Sequence, residues 1–121
     1  MFQNEIHKDR FVSLSNKLIK ENHITVKIDA YYSSLFYIIS SNKDLFNMNE
    51  KIFDFKNRSI KSDVLNDEAL TGTTRRLLSL GFELFTNRSW GDMSIIDIFD
   101  YLDEYSFEVA IIALRLRFNQ L

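Results

Sequence analysis

The chain has 121 residues, 45% of them hydrophobic and 26% charged, with a net charge of −2 and no cysteine. That length suits one domain, residues 1–121, with a single hydrophobic core, and eleven Phe, five Tyr and one Trp argue against disorder. The missing cysteines exclude disulfides, thiolate metal sites, iron–sulfur clusters and a cysteine nucleophile, while the charge lacks the basic excess usual in nucleic-acid binders.

No proline and only three glycines interrupt the chain, so long stretches are open to helix. The first predicted helix runs from about Asn4, its N-cap, to Glu21. His7, Phe11, Leu14 and Leu18 form its apolar stripe, widened by Val12 and Ile19. His23–Asp29 (HITVKID) alternates β-branched residues and reads as a short extended connection. Asp29 caps a second helix, AYYSSLFYIISS, with Tyr32, Phe36 and Ile39 on one face. Asn42 caps a third, which carries Leu45, Phe46, Met48, Ile52 and Phe53. Lys56–Asn66 has a weaker pattern and reads as a loop. A further helix starts at Thr71, Thr73 or Thr74 and extends through Asn87. Leu77, Leu78, Leu80, Phe82, Leu84 and Phe85 make its apolar arc, opposite Arg75, Arg76, Ser79, Glu83 and Thr86. Gly81 lies within that arc at a cost of about 1 kcal/mol against Ala, which predicts a closely approaching neighbour helix.

After a turn at Arg88–Asp92, Ser94 and Asp97 resemble a capping box, with Asp where Glu or Gln is usual. The helix Ile95–Asp103 is expected to place Ile95, Ile98, Phe99 and Leu102 on one side. Asp97, Asp100, Asp103 and Glu104 fall on the other. The last helix, Ser106 to Phe118, is apolar nearly all round. The predicted fold is therefore all-α, a compact bundle of five or six short helices around this mostly apolar C-terminal helix.

No catalytic constellation is visible. His7 and His23 lack a metal-ligand spacing, and His7 reads as a hydrogen-bonded histidine at the rim of the core. Glycine-rich phosphate loops, GxSxG and HExxH are all absent, so neither a cofactor nor an enzyme activity is expected. Between Arg88 and Arg115 stand six acids and no Lys or Arg. Asp97, Asp100, Asp103 and Glu104 are then either a solvated face or an acidic surface for a basic partner. Trp90, beside Gly91, either closes the edge of the core or anchors an interface. Arg75 and Arg76 follow TGTT at a helix start, which loosely resembles a DNA-recognition helix. Self-association through apolar surface near Trp90 or Tyr105 would make a homodimer. The start, MFQNEIHKDRF, mixes both charge signs without an apolar stretch. The longest uncharged run, Ala30–Asn42, is well short of the roughly 20 residues a membrane span needs, so a cytoplasmic protein is expected.

Five stretches, NEIHKDRF, YYSSLFYII, KIFDF, TGTTRRLLSLGFELFTN and DIFDYLDEYSFEVAIIALRLRF, together resemble a family of small proteins of unknown function in Gram-positive bacteria, their phages and mobile elements. HITVKID departs from that pattern as a short insertion. The resemblance implies a helical fold and a mobile-element setting, and brings no catalytic or binding residues. Abundant Ile, Asn, Phe and Lys with little Ala suit an AT-rich genome. The leading expectation is a non-enzymatic protein-binding module, in concrete form an anti-CRISPR-like inhibitor whose acidic helix face covers the basic surface of a nucleic-acid-targeting defence effector. The alternative is a DNA-binding regulator that uses Arg75 and Arg76.

Overall fold

The computed structural model describes residues 1–23 and 27–121. Among them are seven α-helices: α1 (Glu5–Asn22), α2 (Ala30–Ser41), α3 (Lys43–Asn47), α4 (Asn49–Ile52), α5 (Gly72–Thr86), α6 (Ile95–Asp100) and α7 (Glu104–Arg117). The fold class is all-α, as expected. The extended connection expected at His23–Asp29 lies partly outside the described residues.

Side-chain caps set the helix starts. Asn4 accepts from the His7 N–H, Asp29 from Tyr31 and Tyr32, and Asn42 from Asp44 and Leu45. Thr71 and Thr74 close a reciprocal capping box at the start of α5. The expected third helix breaks at Met48 into α3 and α4. The expected loop holds a 3-10 turn at Ser62–Asn66 and the return strand of a hairpin whose strands have two residues each. In that hairpin β1 (Phe53–Asp54) pairs antiparallel with β2 (Ser59–Ile60), Phe53 opposite Ile60. Asp54 organises its turn by accepting from the Lys56 and Asn57 amides.

The central helix is α2 rather than α7, which corrects one feature of the expected bundle. Every residue from Ser34 to Ser41 is buried, and α1, α5 and α7 pack around them. Three buried serines fit because each hydroxyl donates within its own helix: Ser34 to Tyr31 O, Ser40 to Tyr37 O and Ser41 to Ile38 O. Helix α7 packs against α2 and α5 and buries Val109, Ala110 and Ala113, while its Tyr105 and Phe107 are exposed and Ile111, Ile112, Leu114 and Leu116 half-buried. Its apolar residues face too many ways for one contact surface to cover.

Helix α5 crosses α2 at Gly81, where a Cβ would lie 3.1 Å from Leu35 Cδ1 and 3.3 Å from Ile38 Cδ1. This is the close approach that the glycine predicts. Ser79, expected on the outer arc, is buried and donates to Trp90 O. Val12 and Ile19 are exposed instead of widening the stripe of α1.

His7 is a core residue, only 1% exposed, and so lies deeper than the rim position expected. Its Nδ1 accepts from the Gln3 N–H at 3.2 Å, and Nε2 lies 3.0 Å from Tyr37 O, which makes Nε2 the protonated nitrogen. Phe2 packs edge-on against the ring. The Tyr37 hydroxyl donates to Met1 O and accepts from Gln3 Nε2. Helix α2 thus ties down the first three residues.

Candidate functional site

The acidic stretch folds differently from the single helix expected. Helix α6 stops at Asp100, because Asp103 serves as the N-cap of α7 and accepts from the Ser106 N–H at 2.7 Å. Asp97 and Asp100 therefore lie on α6, while Asp103 and Glu104 open the next helix. Two of the four have backbone duties. Asp97 completes the capping box, with Oδ2 accepting from Ser94 N at 3.0 Å and Ser94 Oγ at 2.9 Å. These bonds, led by the backbone one, hold its carboxyl below the usual aspartate range, helped by nearby Arg76. Asp100 and Glu104 are exposed and make no side-chain bond among the described residues, and Glu108 and Asp92 are likewise exposed.

Apolar side chains accompany these acids at the surface. Ile98 is buried against the core, and Phe99 and Leu102 are half-buried. Ile95, expected on the buried side, is 48% exposed, and beside it Ile96 is 69% and Tyr101 75% exposed. A helix of six residues cannot turn all of these inward at once. Phe107 is also exposed and packs edge-on against Phe99 at 5.3 Å. Tyr105 exposes part of its ring while its hydroxyl donates to Ser41 O at 2.7 Å. Single exposed hydrophobics are ordinary on any protein, but five within residues 95–107 are a concentration.

The two guanidinium groups of the basic pair bond to different parts of the chain. The Arg75 guanidinium donates to the carbonyls of Leu65, Asp67 and Leu70, pinning the segment before α5. Arg76 donates from Nε to Asp97 O at 3.2 Å and lies over the Tyr101 ring at 5.3 Å, tying α5 to α6. Trp90 is half-buried against Phe82. Its Nε1 donates to Thr86 Oγ1 at 2.7 Å, and the Arg88 guanidinium covers the ring at 4.3 Å. His7 and His23 stand near opposite ends of α1, where His23 is the exposed left-handed C-cap. Among the described residues, no group of three or more His, Asp or Glu side chains is placed to hold a metal ion. No described helix is long and apolar enough to cross a membrane.

One feature escaped sequence reasoning, an apolar pocket of about 260 Å³ between α5, the start of α6 and the end of α7. It is assembled from residues far apart in the chain, and Ile95 is the one member of the exposed α6 group that borders it.

Fold and surface together define a small all-helical protein in which five of twelve exposed large hydrophobic side chains among the described residues lie within one acidic segment. The chain belongs to DUF6075, a family of unknown function whose model matches residues 1–121, in agreement with the resemblance to an uncharacterised family. Neither the curated proteins nor the solved structures include a significant match.

Proposed function

We propose that this protein is a non-enzymatic binding module that docks onto another protein through α6 and the first turns of α7, without a cofactor. The observation that carries the reading is the exposure of Ile95, Ile96, Tyr101, Tyr105 and Phe107 among Asp92, Asp97, Asp100, Asp103, Glu104 and Glu108. Apolar contact supplies affinity and the acids supply direction, attracting a basic surface and raising the encounter rate. A homodimer through this face is disfavoured, because a two-fold axis would set acid against acid. Reading of DNA by Arg75 and Arg76 finds no support in their placement, since both guanidinium groups are engaged within the chain.

In its concrete form the proposal is a cytoplasmic phage or mobile-element accessory protein that inhibits a nucleic-acid-targeting defence effector, in the manner of an anti-CRISPR. What supports this setting is the AT-rich character of the sequence and the basic groove that any such effector presents to nucleic acid. The test is DNA cleavage by a panel of purified, guide-loaded CRISPR effectors, with and without this protein. Inhibition of one of them is expected, weakened by salt and by the triple change Asp100→Asn, Glu104→Gln, Glu108→Gln, which leaves both capping aspartates intact. If no effector in the panel is inhibited, the inhibitor form fails. If one is inhibited equally by wild type and triple variant, the acidic surface is not the site.

A further inference from the structure

Met1–Gln3 precede α1, and among the described residues three side-chain hydrogen bonds hold them to the bundle. The Tyr37 hydroxyl donates to Met1 O, Gln3 Nε2 donates to that hydroxyl, and the Gln3 N–H donates to His7 Nδ1. The half-buried Phe2 ring packs against the rings of His7, Phe11 and Tyr37, at centroid distances of 5.3, 5.2 and 6.0 Å. Among the described residues no backbone–backbone bond reinforces these contacts.

One of the three bonds ends on an atom that can take up a proton. His7 Nε2 donates to Tyr37 O whether the ring is neutral or charged, and the His7 N–H keeps Asn4 Oδ1 as its acceptor. A proton on Nδ1, in contrast, turns the acceptor of the Gln3 N–H into a donor that faces it. The surroundings do not compensate. Among the described residues His7 pairs with no carboxylate, and Arg10 of α1 acts on it as a like charge. Helix α2 brings the Tyr37 hydroxyl but no charged group, the charges of Tyr105 and Glu108 on α7 bear on Tyr37, and the Met1 amine travels with the segment itself. Release of Met1–Gln3 hydrates Nδ1 and leaves intact both the Asn4 cap and the buried Leu14 and Leu18 of α1. We infer that Met1–Gln3 form an acid-released latch: a proton on His7 Nδ1 detaches them from α2 and uncovers the rings of His7, Phe11 and Tyr37 while the helices stay folded. The open form binds the proton more readily than the closed one, so the latch is shut above pH 6.5 and opens as the pH falls below it.

The test is NMR on the isotope-labelled chain between about pH 7.5 and 5, in which the His7 ring reports protonation, Phe2 and Gln3 the segment, and the Trp90 indole the bundle. In wild type the Phe2 and Gln3 signals should move to unstructured positions in step with the His7 ring, at a midpoint below 6.5. The Trp90 indole, bonded to Thr86 Oγ1, should not change over that range. His7→Gln, which cannot titrate, should hold Phe2 and Gln3 in place throughout. Tyr37→Phe removes two of the three bonds without touching those of His7. It should raise the midpoint toward 6.5, by about one pH unit for each tenfold loss of the closed form. If His7→Gln does not fold, Tyr37→Phe decides alone. The inference is overturned if Phe2 and Gln3 keep their positions after the His7 ring has titrated, if they move only together with Trp90, or if His7 takes up no proton above about pH 5. Release at the same pH in folded His7→Gln, or an unchanged midpoint in Tyr37→Phe, would overturn it equally.

Discussion

Acidification should destabilise this protein through His7, well before its carboxylates titrate. The imidazole is buried, Nδ1 already accepts a backbone N–H from Gln3, and Nε2 donates to Tyr37 O. A second proton would have to go on Nδ1, facing the Gln3 N–H and deprived of water. Burial is the main cause that lowers the His7 pKa below 6.5, nearby Arg10 adds to it, and the Tyr37 carbonyl opposes it. With the folded value depressed, the unfolded chain binds more protons. Stability is then complete above pH 6.5 and falls as the pH drops from there toward the folded value. One proton sets an upper limit of about 1.4 kcal/mol per pH unit, so the loss by about pH 5 cannot exceed about 2 kcal/mol. That is a sizeable part of a typical total of roughly 5–15 kcal/mol. Urea unfolding followed by Trp90 fluorescence between about pH 7.5 and 5 would measure it, with His7→Gln as the reference that cannot titrate. His23 is common to both proteins and cancels. Equal slopes in wild type and His7→Gln, or a flat wild-type profile, would refute the reasoning.

Three further outcomes follow from the packing. Tyr37→Phe should cost about 1 kcal/mol and speed hydrogen exchange at Gln3, since the hydroxyl joins Met1 O to the Gln3 side chain; exchange rates and urea midpoints check it. Gly81→Val should destabilise by about 1–3 kcal/mol, because its added atoms meet Leu35 and Ile38; thermal unfolding gives the sign. Ser94→Ala should cost about 1 kcal/mol by opening the capping box, whereas Asp100→Asn should stay within about 0.5 kcal/mol of wild type, a contrast that denaturant titration resolves.

The helix starts were legible because capping is local chemistry. Asn4, Asp29, Asn42, Thr71 and Ser94 each accept a backbone N–H two or three residues on, and that spacing is written in the chain. Asp103 obeys the same rule, but it was assigned to the end of the preceding helix, and the last helix, expected from Ser106, starts two residues earlier at Glu104. The centre of the bundle was misread because counting apolar residues does not show which of them find a neighbour. Serines that bond their own helix carry α2 inward despite their polarity, and two alanines bring α7 close while its larger side chains stay half-covered. The engagement of Arg75 was not legible either. Its acceptors are backbone carbonyls of an irregular segment, which leave no mark in residue type. The acids were visible as charge and Asp97 as part of a capping box, yet only the folded chain shows that Asp103 also holds a helix start while Asp100 and Glu104 do not.

Because α2 carries no charged residue and is enclosed by α5 and α7, it is made before two of the helices that shield it. Of the helices that pack on it, α1 leaves the ribosome before α2, whereas α5 and α7 emerge tens of residues later. Until then the nascent chain displays its greasiest segment to the cell, a natural landing place for a chaperone and the seed of any aggregate. Premature termination before α7 would leave one side of that segment uncovered.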